Sequence, residues 1–183
     1  MLIGYILYYL VLVFELVFSV GMAIYLGSLL FSSFKGSPYV PTKNKESEFF
    51  LKEAQLKKGQ TFYDLGCGDG RIVRTAVKEY KVKGTGFDIN PVLIHYARLL
   101  TKFKKVNNIT FVTKNIFDVD LRKIDVVYIF LMPKLIEKLC PKFKKEMKKN
   151  SILISHGFEV EGLKKKLYKK IDHKPFPTYF YKM

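Results

Sequence analysis

The stretch Tyr63-Asp64-Leu65-Gly66-Cys67-Gly68-Asp69-Gly70-Arg71 constrains the fold more than any other part of the chain. Three glycines at alternate positions separate a short apolar run, Thr61 to Leu65, from a segment in which Ile72, Val73, Ala76 and Val77 recur at helical spacing. That order predicts a buried strand, a tight turn and a helix. Such a turn brings backbone N–H groups and the positive end of a helix dipole to an anionic or carboxylate-bearing ligand, and glycine lets the ligand approach the backbone itself. Dinucleotide folds favour G-x-G-x-x-G, but here the third glycine comes one residue early, with Arg71 in its place.

A second acid, Asp88, ends the next apolar run, Val82 to Phe87. With Asp64 closing the first strand and a G-x-G-x-G turn between them, the pattern resembles the S-adenosylmethionine motifs of Rossmann-like methyltransferases. A carboxylate at the tip of the second strand can accept both ribose hydroxyls of a bound nucleoside, the logic that also applies in dinucleotide folds. Beyond it the chain alternates. Helix is predicted for Pro91 to Lys105, strands for Ile109 to Val112 and Ile124 to Leu131, helix for Pro133 to Lys148 and strand for Ser151 to His156. A last helical turn and a hairpin bent at Pro175-Phe176-Pro177 complete it. This is a doubly wound α/β pattern with a mostly parallel sheet.

Ligands in such sheets bind outside the carboxyl ends of the strands. That rule gathers Asp64, Gly66, Cys67, Gly68 and Asp69 after the first strand, Asp88, Ile89 and Asn90 after the second, and Asn115 and Ile116 after the third. In a methyltransferase of this architecture Asn115 is placed to meet the adenine amino group, with Ile116 beside the ring. Leu131-Met132-Pro133 follows the fourth strand, facing the reactive methyl. Tyr128, Phe130, Pro133 and Phe158 are candidate walls for an acceptor channel, and Glu46 or Glu159 could take a proton through water. The turn after the fourth strand lacks the Asn/Asp-Pro-Pro-aromatic pattern of enzymes that methylate base amines, and Cys140-Pro141 reverses the Pro-Cys pair of cytosine enzymes. Nucleic acid is therefore a minor expectation.

The N-terminal region is different in kind. Leu2 to Phe34 holds one charged side chain, Glu15, and is longer than the roughly 20 residues a helix needs to cross a bilayer. A transmembrane helix is the expectation for 1–34, followed by a linker at 35–42 and a methyltransferase domain at 43–183. A cleaved signal peptide is the rival, disfavoured by the length of the run and by the absence of Lys or Arg before it. Lys35, Lys43, Lys45 and Lys52 lie on the C-terminal side, so the domain is expected in the cytoplasm, on a single-pass membrane protein. Two cysteines make no disulfide framework, and the linear spacing of His95, His156 and His173 suggests no metal site. The net charge is +16, and since the apolar run contributes only Glu15, the remainder carries +17. Such charge suits an anionic lipid surface, but a lysine-rich solvated surface accounts for it nearly as well.

A more specific combination is the apolar span, then Pro38-Tyr39-Val40-Pro41-Thr42, then Tyr63 to Val73, then Gly86-Phe87-Asp88-Ile89-Asn90-Pro91. It resembles a family of membrane-anchored seven-β-strand protein-lysine N-methyltransferases, whose best-known members act on the mitochondrial ATP synthase c-ring protein and adenine nucleotide translocase. A prokaryotic member is the expectation. The resemblance implies S-adenosylmethionine as cofactor and a lysine ε-amine of a membrane protein as acceptor. It also implies that Pro38 to Thr42 folds over the cofactor, with Thr42 contacting it and Tyr39 lining the lysine channel. A methyltransferase for a lipid or small-molecule amine, and a non-catalytic membrane-bound scaffold, are the alternatives.

Overall fold

The computed structural model describes residues 2–34 and 44–183. The expectations for Tyr39, Thr42 and the rest of the Pro-Tyr-Val-Pro-Thr segment lie outside the described residues. A helix, α1 (Leu2–Phe34), comes first, and α2 (Asn44–Glu53) opens the second described segment. There follow β1 (Thr61–Leu65), α3 (Arg71–Tyr80), β2 (Lys83–Asp88), α4 (Pro91–Phe103), β3 (Ile109–Thr113), β4 (Val126–Ile129), α5 (Pro133–Glu146), β5 (Ile152–His156), β6 (Leu167–Ile171) and β7 (Thr178–Lys182). Short 3₁₀ turns lie at Ile116–Asp118 and Glu161–Lys166.

The strands form one seven-stranded sheet in the order β3-β2-β1-β4-β5-β7-β6. Its first five strands are parallel, and β7 runs antiparallel between β5 and β6. A parallel sheet buried on both faces needs apolar residues on both, and β4 supplies them without a break: Val126, Val127, Tyr128 and Ile129 are all buried. On one face Phe62, Tyr128, Ile154 and Phe180 pack with Phe50 of α2, Val73 of α3 and Ile94 of α4. On the other, Leu65, Val127, Ile129 and Leu153 pack with Leu139 and Phe143 of α5.

Two strand boundaries differ from the sequence expectation. β4 is shorter than Ile124 to Leu131 because Ile124 and Leu131 are core residues outside the ladder, each 2% exposed. Apolarity reports burial, not backbone pairing. β2 runs one residue further, to Asp88, which pairs with Thr113.

That extra residue defines a line across the top of the sheet. Asp88 stands beside Thr113 on one side, and His156 stands beside Thr178 on the other. One step beyond the Leu65–Phe87, Leu65–Ile129 and Ile129–Ser155 rungs come Gly66 and Phe130, completing the row.

α1 stands apart. Its stretch Leu2–Leu30 is long and apolar enough to cross a membrane and is 0% buried in its most apolar window. Its last turns meet the domain at one residue. Asn90 Nδ2 donates to Ser28 O at 2.8 Å and to Ser32 Oγ at 2.9 Å, satisfying a carbonyl near the end of α1 where helices leave such groups unpaired.

Candidate active site

The glycine turn is built by exclusion. Gly66 has φ +90°, and a Cβ there would stand 2.9 Å from Leu131 Cδ2; Gly70 has φ +74°, and its Cβ would fall 2.3 Å from the Phe111 ring. Neither position admits a side chain. Gly66 and Cys67 both donate their N–H to Phe87 O, at 2.8 and 2.9 Å, which ties the turn to β2.

Asp88 then holds the turn from the neighbouring strand. Its Oδ2 accepts from Gly68 N at 2.8 Å and its Oδ1 from Asn90 N at 2.9 Å. Burial raises its pKa, and the N–H groups of Asn90, Gly68 and Ile89 oppose that rise. Asp64, at the end of β1, is 1% exposed, and its Oδ2 is buried without a hydrogen-bond partner. Burial, and then the charges of Asp88 and Asp69, push its pKa well above the usual carboxylate range. An orphaned carboxyl beside a second acid suits a ligand that carries cationic centres and hydroxyl donors.

The other expected cofactor residues divide by how they are used. Asp69 accepts from Arg71 N at 3.0 Å and pairs with the Arg71 guanidinium at 2.8 Å. Burial would raise its pKa, but Arg71 and Arg74 outweigh that and hold it below the ordinary value. It fastens the turn internally. Cys67 packs inward, its Sγ 2.7 Å from where a Gly86 Cβ would lie, and burial raises its thiol pKa strongly. Asn90 caps α4, accepting from Val92 N and Leu93 N at 3.0 and 3.3 Å, while its amide is held by α1. Asn115 caps the following 3₁₀ turn through Phe117 N at 3.1 Å. Ile89 and Ile116 are half-buried at the same edge. Asp64, Gly66, Gly68 and Asp88 are therefore brought together as a ligand cradle, whereas Cys67, Asp69 and Asn90 buttress it.

The acceptor side is less as expected. Tyr128 is 2% exposed and stacks on Phe50, centroids 5.2 Å apart at 9°, so it is a core residue beneath α2 and not a channel wall. Its position inside β4 puts it two residues below the sheet edge. Phe130 stands at that edge, half-buried, against His156 at 4.6 Å and Phe176 at 5.3 Å. Pro133 is exposed at the first turn of α5, where its missing N–H costs nothing. Phe158 packs against the opposite core, and Glu159 is half-buried beside it.

Residues that linear spacing conceals complete this side. His156 and His173, apart in sequence, have ring centroids 5.6 Å apart at 19°. Glu46 Oε1 lies 3.4 Å from His156 Nε2. Burial, and secondarily the charge of His173, lowers the His156 pKa to about 4, so the imidazole is neutral at pH 7. Spacing along the chain suggests no histidine site, and the fold overrides it by joining α2, the end of β5 and the β6–β7 connection.

Comparison with known proteins agrees with this geometry. A protein-lysine N-methyltransferase of Saccharolobus islandicus (strain REY15A) is 39% identical over 140 residues, 74% of this chain and 85% of the relative. A lysine N-methyltransferase of Caenorhabditis elegans, named for its action on the c-ring protein of ATP synthase, is 33% identical over 129 residues, 66% of each chain. Among solved structures, an RNA methyltransferase from Salinibacter ruber in complex with S-adenosyl-L-homocysteine matches with a TM-score of 0.74 and 28% identity, covering 78% of this chain and 93% of that one. The family model described as the ANTKMT methyltransferase domain matches residues 64–167. That match takes in the whole run from the first acid to β6, more than half of the chain, and so the chain belongs to the ANTKMT methyltransferase-domain family, enzymes of the class I fold that use S-adenosylmethionine.

Proposed function

We propose that this enzyme methylates the ε-amine of a lysine on a protein, at the face of a membrane in which α1 anchors it. The observation that carries the lysine reading is the 39% identity, over 85% of its length, to a protein named a protein-lysine N-methyltransferase. The cofactor supplies an electrophilic methyl group on a sulfonium. Asp88 would take the ribose hydroxyls and Gly66 and Gly68 would let the ligand lie on the backbone, while Asp64 would face its cationic groups. Ile89, Asn115 and Ile116 would border the adenine.

Methyl transfer to nitrogen requires a neutral amine on the line of the breaking bond, so positioning and exclusion of water do most of the work. A lysine ordinarily titrates near 10.4, and an apolar wall disfavours its charged form. Phe130, with Phe176 and Pro133 beside it, supplies such a wall at the end of β4. In this reading residues 1–34 are a transmembrane anchor, 35–42 a linker and 43–183 the catalytic domain, facing the cytoplasm. The hydrogen bonds from Asn90 to Ser28 and Ser32 support a site held close to the membrane, because Asn90 is two residues from Asp88. The basic surface, net +17 outside the apolar run, supports attraction to anionic lipid.

Incubation of membranes with radiolabelled S-adenosylmethionine and the purified full chain tests the proposal. The expected result is label in a protease-sensitive band that yields methyl-lysine on hydrolysis. Label that extracts into solvent would make the acceptor a lipid or small amine, and nuclease-sensitive label would make it RNA, as the Salinibacter likeness suggests.

A further inference from the structure

Glu46, His156 and His173 meet at the far end of the row that begins with Asp88, and no step of methyl transfer uses them. Their three ligand atoms lie within 4.8 Å of one another. Glu46 Oε1 is 3.4 Å from His156 Nε2 and 3.6 Å from His173 Nδ1. Both Glu46 Oε1 and His156 Nε2 are buried without a hydrogen-bond partner, in side chains that are 10% and 1% exposed. Oxygen and nitrogen lone pairs turned toward each other in a dry place are unfavourable unless a cation lies between them.

Thr178 sets which nitrogens face inward. Its Oγ1 lies 2.9 Å from His156 Nδ1 and 2.9 Å from His173 Nε2. A hydroxyl has two acceptor lone pairs, and accepting from both rings fixes each proton on the nitrogen remote from Glu46. The lone pairs of His156 Nε2 and His173 Nδ1 then point toward the carboxylate. An oriented histidine whose second nitrogen donates to a neighbouring oxygen is the usual outer support of a metal ligand.

We propose that Glu46, His156 and His173 form a binding site for a divalent transition metal of the zinc class. Zinc bound by nitrogen and oxygen at about 2.0–2.1 Å in a tetrahedron separates its ligands by roughly 3.3–3.4 Å, which the 3.4 and 3.6 Å separations match. Two imidazoles and a carboxylate suit zinc better than calcium or magnesium, which take oxygen ligands. Three protein ligands leave a fourth position for water. The ion would join α2 to the end of β5 and to the β6–β7 connection. It would thereby brace His156, against which Phe130 packs.

The test uses the full chain in detergent, stripped with chelator and titrated with zinc chloride by calorimetry, with thermal melting followed in parallel. One zinc per chain and a rise in Tm are expected. His173→Asn and Glu46→Gln should each abolish the stoichiometric binding and the Tm rise while the variants still bind S-adenosylmethionine. Thr178→Val should weaken zinc by about 10–100-fold. His95→Asn, which alters a histidine elsewhere, should change nothing. Should His173→Asn fail to bind S-adenosylmethionine, and so be misfolded, Glu46→Gln and Thr178→Val decide the matter. Absence of one-to-one zinc binding in the parent protein, or unchanged binding in the folded variants, overturns the site.

Discussion

The two halves of the sheet's upper edge are built from different materials. Over β1 and β2 the edge is glycine and carboxylate: Gly66, Gly68, Asp64 and Asp88, with N–H groups as the principal partners. Over β4, β5 and β7 it is aromatic rings and imidazoles, Phe130, Phe176, His156 and His173. The first half can hold a polar, cationic ligand, and the second offers apolar walls to whatever approaches it. The difference teaches that one continuous row of residues can carry two chemistries, provided that its register is held by strands buried on both faces.

The two halves should therefore fail in different ways when altered. The largest effect is expected for Asp88→Ala, which removes the acceptor proposed for two ribose hydroxyls. At about 1.5–3 kcal/mol for each bond to a charged group, calorimetry should show S-adenosylmethionine affinity falling by about a hundredfold or more. Phe130→Ala should do the reverse, lowering kcat/KM for the protein acceptor by roughly tenfold while leaving cofactor affinity within about threefold. Equal losses of cofactor affinity in both variants would break the division.

Asp64 sharpens the comparison through stability. Because its folded pKa is raised by burial and by Asp88 and Asp69, the unfolded chain releases that proton first. The ligand-free fold should then lose stability as pH rises above the ordinary value of 3.8. Asp64→Asn should flatten that loss and leave the ligand-free protein as stable or more so near pH 7, while weakening the cofactor. Chemical denaturation at several pH values, with and without S-adenosylmethionine, reads both. The smallest effect is expected at Asp120, whose pKa Arg122 lowers to a value that only strong acid would reach. That pair is exposed, 74% for Arg122 and 56% for Asp120, and water screens it. Arg122→Ala should leave both the melting curve and cofactor binding unchanged.

The same contrast explains what can be read from the chain alone. Asp64 to Arg71 and Asp88 to Asn90 are contiguous, so the cradle is written in two short motifs between a strand and a helix. Element types follow from the alternation of patterns, with β4 overextended only because Ile124 and Leu131 are buried outside the ladder. The histidine side is assembled from α2, β5 and the segment before β7, and no local spacing encodes that meeting. Tyr128 misleads for a related reason. Its distance from the edge is set by where β4 ends, and apolar composition does not mark that point. Cys67 and Asp69 lie within the motif, but their roles depend on side-chain direction, which a glycine-rich turn does not announce.

The link from Asn90 to the last turns of α1 bears on how this protein is handled. A soluble version begun after residue 34 would deprive the Asn90 amide of both acceptors, Ser28 O and Ser32 Oγ. The same side chain caps α4, and its own N–H is held by Asp88. Removing the apolar helix for convenience would thus unfasten a residue adjoining the nucleoside end of the cradle. Kinetics measured on such a truncation would describe an altered enzyme.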